Sequence, residues 1–419
     1  MFRALPLFLL LCLGCTRESA QEQFDLGVKY QNGDGVGKDF ARAAELYTEA
    51  AEVGHASAQY SLAVMYHSGD GVPQDSVKAA YWYAKAAENG EKDIPLILGT
   101  MYDTGEGLPR DAAKAAEWYA KAAEQGDADA QVSLGALYGR GDGVPRDLAK
   151  AREWYTKAAE QGRMHAQFNL GMMYASGDGV SRNAKIAAEW YRKAAGQDHP
   201  IAQFNLGVLY HTGEGIERNP DLALKWFNKA AQLGNADAQN VLGVIYQDGE
   251  GVRKDPGQAY DWFMKAARQE HAEAQFNLAS MYYFGDGITK DFRQAAEWFR
   301  KAAEHGHSDA QFNLALMFLT GQGIARNIPQ GVEWLRKAAA QGDPTALFNL
   351  GVMYSSGNGV PRDLVQAYMW TDLAATYGDP NASQSRAKLQ IAMTAVEIAE
   401  AQRRAREWTP VVQYSWSLQ

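Results

Sequence analysis

The sequence predicts an all-α fold, an α-solenoid of ten 36-residue helical hairpins closed by a C-terminal capping helix, and three observations carry that prediction. The pair Gly-X-Gly occurs at Gly33/Gly35, Gly69/Gly71, Gly105/Gly107, Gly141/Gly143, Gly177/Gly179, Gly213/Gly215, Gly249/Gly251, Gly285/Gly287, Gly321/Gly323 and Gly357/Gly359, every 36 residues without an insertion. A fixed period of this size marks supersecondary units that stack on their neighbours. Apolar residues keep helical spacing on both sides of each pair, as Leu170, Gly171 and Tyr174 do before one turn and Ala188, Tyr191 and Ala195 after it. An Asp or Asn also stands where each second helix should open, at Asp39, Asp75, Asp111, Asp147, Asn183, Asn219, Asp255, Asp291, Asn327 and Asp363, ready to accept from otherwise unpaired N–H groups.

Along the chain, the first element is a leader over residues 1–15. Arg3 precedes an apolar run from Ala4 to Gly14, broken only by Pro6, and Cys15 follows Leu13-Gly14. The run fits a signal-peptide core and is too short for a stable membrane span. It resembles a bacterial lipoprotein signal, which implies lipidation of Cys15 and a place in the periplasm or outer membrane. Ordinary cleavage after Ala20 is the alternative. Both cysteines, Cys12 and Cys15, lie in this leader, so intrachain disulfides play no part. Residues 16–21 read as a linker, 22–379 as ten repeats, 380–408 as capping helices and 409–419 as a flexible tail. In the cap, Thr394-Ala395-Val396-Glu397 has the form of a capping box, and Arg403, Arg404 and Arg406 suit a helix C-terminus.

Within the repeat, the turn glycines supply a left-handed backbone, and Gly54, Gly90, Gly126, Gly162, Gly234, Gly306, Gly342 and Gly378 fall where a left-handed residue would close the second helix. A small residue inside the first helix, Gly171 or its counterparts, with Ala at Ala63, Ala279 and Ala315, lets the second helix come close. A Trp recurs in the second helix from Trp82 to Trp370, with Leu46 in the first unit. Packing between hairpins is the expected use of that row.

The run AQFNLG from Ala166, the GDGV turn from Gly177 and second helices such as AAEWYAKAAEQG from Ala115 to Gly126 resemble the Sel1-like repeat family, a relative of tetratricopeptide repeats. The resemblance implies a right-handed solenoid whose first helices line a concave surface that binds other proteins. One branch of that family staples its repeats with cysteines that this chain lacks.

A formal charge of −9 and the absence of a dense Lys/Arg cluster argue against nucleic acid as a partner. The sequence holds no nucleophile motif, no phosphate loop with its lysine and no zinc helix, so neither an enzyme nor a cofactor is expected. Helical geometry places His165, Phe168, Asn169, Met172 and Ser176 on a stripe that turns away from the second helix. On it Asn169, Asn205, Asn277, Asn313 and Asn349 share one position, interrupted by Val241. An amide can match the N–H and C=O of a peptide, and helices packed about 10 Å apart would present one Asn to every third residue of an extended chain at ~3.3 Å each. The row resembles the asparagine ladder of a tetratricopeptide groove. Its other reading is a bond to a neighbouring helix or to water.

Tyr283, Phe284 and Leu319 replace small or polar residues of other units and mark either an apolar pocket for a partner or the filling of a gap. The acids between the turn glycines, Asp34, Asp70, Glu106, Asp142, Asp178, Glu214, Glu250 and Asp286, suggest a negative ridge, a solvated edge or local turn bonds rather than a calcium site. His55, His199, His271 and His307 fall between repeats, and no ligand cluster joins them for a metal. Two functions are left: a protein-binding scaffold or regulator of the bacterial envelope that holds a partner protein or peptide, and a cell-wall-directed protein that binds glycan or assists a wall enzyme. Exposed stacking aromatics would favour the second, an open Asn row the first.

Overall fold

The structure, a computed structural model, describes residues 7–91 and 94–411, with side chains from residue 19 onward. The expected lipidation at Cys15 therefore falls outside the described side chains. Every regular element among the described residues is a helix. The chain forms two compact units, one reaching to Ala202 and including Glu214–Ile216, the other made of Gln203–Gly213 and Glu217 onward. The first unit holds α1 (Leu7–Asn32), α2 (Phe40–Glu52), α3 (Ala56–Ser68), α4 (Ser76–Glu88), α5 (Pro95–Thr104), α6 (Ala112–Glu124), α7 (Ala128–Arg140), α8 (Leu148–Glu160), α9 (Met164–Ser176) and α10 (Ala184–Ala195). The second holds most of α11 (Pro200–Thr212), then α12 (Pro220–Gln232), α13 (Ala236–Asp248), α14 (Pro256–Ala267), α15 (Ala272–Phe284), α16 (Phe292–Glu304), α17 (Ser308–Thr320), α18 (Ile328–Ala340), α19 (Pro344–Ser356), α20 (Leu364–Thr376), α21 (Ala382–Ile391) and α22 (Ala395–Glu407). Odd and even members up to α20 are the first and second helices of ten hairpins.

Local chemistry sets the helix ends. Each expected Asp or Asn accepts a backbone N–H two or three residues on, as Asp147 Oδ1 does from Ala149 and Lys150 at 3.1 and 3.0 Å. The first turn glycine closes the first helix with a left-handed backbone, φ 85° at Gly69. The second has an additional duty that the sequence did not reveal. A Cβ on Gly107 would lie 2.0 Å from the Ser76 carbonyl oxygen, and one on Gly143 2.2 Å from the Ala112 carbonyl carbon, so the turn rests on the second helix of the preceding hairpin.

Packing follows from small residues facing large ones. A Cβ on Gly99 would come within 2.5 Å of the Tyr119 ring, and one on Gly243 within 2.5 Å of Phe263. The bare backbone is what lets these buried rings lie flat on the first helix. Each core then bridges hairpins: Ala115, Tyr119 and Ala122 of α6 join Ala130, Leu134 and Leu137 of α7, and Trp154 of α8 covers the edge of the cluster. The Trp row does pack between hairpins, but each ring is half-buried, and from Trp118 to Trp334 its outer face carries a lysine one turn on, such as Lys157 3.9 Å from the Trp154 centroid.

Four features differ from or refine the sequence reading. Residues 16–21, expected as a linker, are helical and continue into the first hairpin as part of α1. Asp198 and Glu270 stand where other repeats carry the closing glycine and hold φ of 62° and 64°, a strained region for side chains. The cap forms with the expected capping box at Thr394, and α22 seals the last core through the fully buried Ala401. The tail is tied down at its start, where Val411 N–H donates to the Ala340 carbonyl at 2.7 Å; residues 412–419 lie outside the described part.

Candidate protein-binding face

The outer register of the first helices is apolar at one position and polar at the next. Met172, Val244 and Val352 occupy equivalent places and are exposed, Met172 by 47%. One turn earlier lies the Asn position, where Asn169, Asn205, Asn277, Asn313 and Asn349 are all half-buried. Their amides differ in engagement. Asn277 Nδ2 donates to Asn240 Oδ1 at 3.1 Å, a bond between hairpins that gives this member a structural task. Asn313 and Asn349 each donate one N–H to a carbonyl of their own helix, Asp309 and Thr345, at 2.8 Å, and among the described residues their amide oxygens take no bond.

The expected aromatic pocket does not form as a unit. Tyr283 is half-buried, donates to Gln322 Oε1 at 3.1 Å and packs its ring 5.2 Å from Phe292. Leu319 lies over Gly331, whose Cβ position is 2.7 Å from Leu319 Cγ. Both fill gaps between helices, because their register faces the start of the second helix. Phe284, one residue after Tyr283, is 72% exposed and is the member of the trio that stays open to solvent.

The inter-repeat histidines are helix caps. His271 Nδ1 accepts from Ala274 N–H at 3.1 Å, and its Nε2 meets Asp237 at 3.1 Å; His307 does the same with Ala310 and Glu273. The bond from His307 holds the Glu273 carboxyl below its ordinary range. His199 accepts from Ala202 N–H and stacks on Phe168 at 4.3 Å. Burial lowers its imidazole pKa, and His165, 5.6 Å away, lowers it further. Among the described residues no group of three or more His, Cys, Asp or Glu could hold a metal.

Two polar systems were missed by sequence reasoning. Buried Gln side chains bind three helices together: Gln311 Nε2 donates to the Ala303 carbonyl at 3.1 Å, and its Oε1 accepts from Gln341 Nε2 at 2.8 Å. Gln59, Gln131, Gln167, Gln239 and Gln275 repeat the arrangement, with Asn89 or His305 as donor in two cases. A Gln recurring at intervals of 36 from Gln131 to Gln311, with an amide or imidazole 30 residues on except after Gln203, was the available signal. The acids of the turns do not form an open ridge either. Asp34, Asp70 and Asp178 make local turn bonds, whereas Asp142, Glu214 and Glu250 pair with Arg110, Arg182 and Arg218 of the preceding hairpin, the first at 2.5 Å and the last at 3.3 Å.

Stacked helical hairpins with a shared inter-repeat core define a repeat scaffold, a class whose surface is made for contact with other macromolecules. A family model for the Sel1 repeat matches ten segments, residues 23–55, 56–91, 96–127, 128–162, 165–199, 200–235, 236–271, 272–307, 308–343 and 344–379. The chain belongs to the Sel1 repeat family. It is 37% identical to a protective antigen of uropathogenic Escherichia coli strains displaying an SLR fold, over 95% of this chain and 94% of that one, with a TM-score of 0.60. A Sel1 repeat protein from Oxalobacter formigenes is 34% identical over 72% of this chain and 87% of its own, also with a TM-score of 0.60. None of the curated proteins compared with the chain matches it. Sel1-repeat proteins generally mediate protein–protein interaction, and a solenoid of this kind is typically a non-catalytic scaffold.

Proposed function

We propose that this protein is a non-enzymatic interaction scaffold or regulator of the bacterial cell envelope that holds a partner protein or extended peptide against its first-helix face. The observation that supports it is the pairing, on that face, of amides with spare bonding capacity at Asn313 and Asn349 and exposed apolar side chains at Val352 and Phe284. Polar groups that fix a backbone beside apolar groups that exclude water are what peptide recognition requires. The double variant Asn313→Ala/Asn349→Ala should weaken capture of the crosslinked envelope partner while melting temperature stays nearly unchanged, since neither amide bonds to another hairpin. Undiminished capture would refute the assignment. Export and lipidation at Cys15 rest on the leader sequence. Fatty-acid labelling of the wild type, lost in Cys15→Ala, is the expected result; label on the variant would overturn it.

A further inference from the structure

The arginine–carboxylate pairs that join successive turns stop before the repeats do. In three of the earlier turns a basic residue just ahead of the second-helix cap meets a carboxylate 32 residues later: Arg110 meets Asp142, Arg182 meets Glu214 and Arg218 meets Glu250. The same basic position is held by Lys290, Arg326 and Arg362 in the last three hairpins, and all three are exposed. The acids that would answer the first two are replaced by Gln322 and Asn358, and no further glycine pair follows Arg362. Lys290 Nζ lies 4.5 Å over the Phe292 ring, while among the described residues Arg326 and Arg362 bond through Nε alone, to the carbonyls of Leu319 and Ser355. The nearby carboxylates of Asp291 and Asp363 are turned to backbone N–H groups as helix caps. An open groove of about 760 Å³, lined by Asp291, Arg293, Gly321, Gly323, Ile324 and Ala325, crosses this edge.

We infer that the turn edge of the last three hairpins docks an acidic peptide segment of a partner protein, whose carboxylates take the places that Asp142, Glu214 and Glu250 fill in earlier turns. The protein's own pairs supply the template for recognition: a carboxylate presented to each guanidinium or ammonium in succession. Neighbouring hairpins are separated by about 10 Å. A peptide in the polyproline II form turns once in three residues and rises about 9 Å per turn, so every third side chain would meet the next rung. The segment is therefore expected to carry Asp or Glu at every third position. In a chain of net charge −9 such a strip attracts an anion only at short range, within a screening length of about 10 Å. This surface is the turn edge and not the first-helix face, so the two sites stand or fall separately.

The test uses the full chain and fluorescein-labelled peptides of repeated Glu-Pro-Pro, with repeated Gln-Pro-Pro and a version with its glutamates clustered as controls, read by fluorescence anisotropy at low and physiological salt. The evenly spaced acidic peptide should bind best and weaken with salt. Gln322→Glu/Asn358→Asp removes no cation but rebuilds the internal pairs, and it should weaken binding about tenfold, the scale expected for losing several exposed pairs. Lys290→Gln/Arg326→Gln/Arg362→Gln should do the same, whereas Asn313→Ala/Asn349→Ala should leave the peptide bound. Equal binding of all three peptides, or full binding by the Gln322→Glu/Asn358→Asp variant, would overturn the inference. So would cation-dependent binding to vesicles of anionic phospholipid with no binding to the peptide.

Discussion

Glu270 offers a direct measurement of backbone strain in this repeat. It holds φ 64° at a position where most repeats have glycine, and an L-residue in that region carries a penalty of roughly 1–2 kcal/mol. Glu270→Gly removes the penalty but gives the unfolded chain more freedom, which offsets about 0.5–1 kcal/mol. The variant also loses an ion pair with His305 at 3.9 Å, both groups well exposed, worth at most about 1 kcal/mol and often nothing measurable. The expected balance is a gain of about 0.5–1 kcal/mol. Its reciprocal is cleaner, because Gly234 holds φ 89° and a Cβ there would meet no atom within 4 Å. Gly234→Ala should therefore have a net cost of about 0.5–1 kcal/mol, the left-handed penalty less the lower freedom of the unfolded chain, with no contribution from crowding. Urea unfolding at constant slope reads both. If Glu270→Gly lowered the midpoint while Gly234→Ala left it unchanged, backbone strain would not be what these positions report.

Three further outcomes are expected. Gly243→Ala should lose about 1–2 kcal/mol, since the new methyl lies 2.5 Å from the fully buried Phe263 ring and overpacking outweighs the better helix propensity; a rise in thermal midpoint would refute the close approach. Gln311→Ala should cost only about 1–2 kcal/mol, because the Ala303 carbonyl keeps its bond from Gly306 N–H and Gln341 keeps Gly306 O, and a loss above about 4 kcal/mol in urea would show that the amide is not so backed up. For His199, burial and then His165 favour the neutral ring in the folded state, so the unfolded chain binds more protons; stability should be full above about pH 6.5 and fall as pH drops below it. His199→Asn, which retains a capping acceptor, should flatten that slope, and an identical pH profile for variant and wild type would remove His199 as its source.

What the sequence made legible was whatever depends on one residue type at one offset. The second-helix caps at Asp39 through Asp363, the closing glycines and the capping box at Thr394 are of this kind, and each is found in place. Pairings that reach across hairpins were harder to see. Gln311 reads as an ordinary polar helix residue until Ala303 and Gln341 are placed beside it, and Asp142 reads as a solvated acid until Arg110, 32 residues earlier, is brought to it. Tyr283 and Leu319 were conspicuous as departures from small residues, but conspicuousness does not tell which side a register faces. Here that side is the second helix, and Gly331 had made room for Leu319.

The second turn glycine also fixes the length of the unit. Because Gly107 and Gly143 sit where even a single added carbon would strike the helix behind them, the turn has nowhere to put an extra residue, and the Gln side chains tie the far ends of the same hairpins to a constant distance. Where both are present, as at Gly143 and Gln131, two independent gauges thus measure a module against its predecessor. A chain built this way can change length by whole modules, copied or dropped, far more readily than by a few residues. The unbroken interval of 36 from Gly33 to Gly357 is the record of that arithmetic.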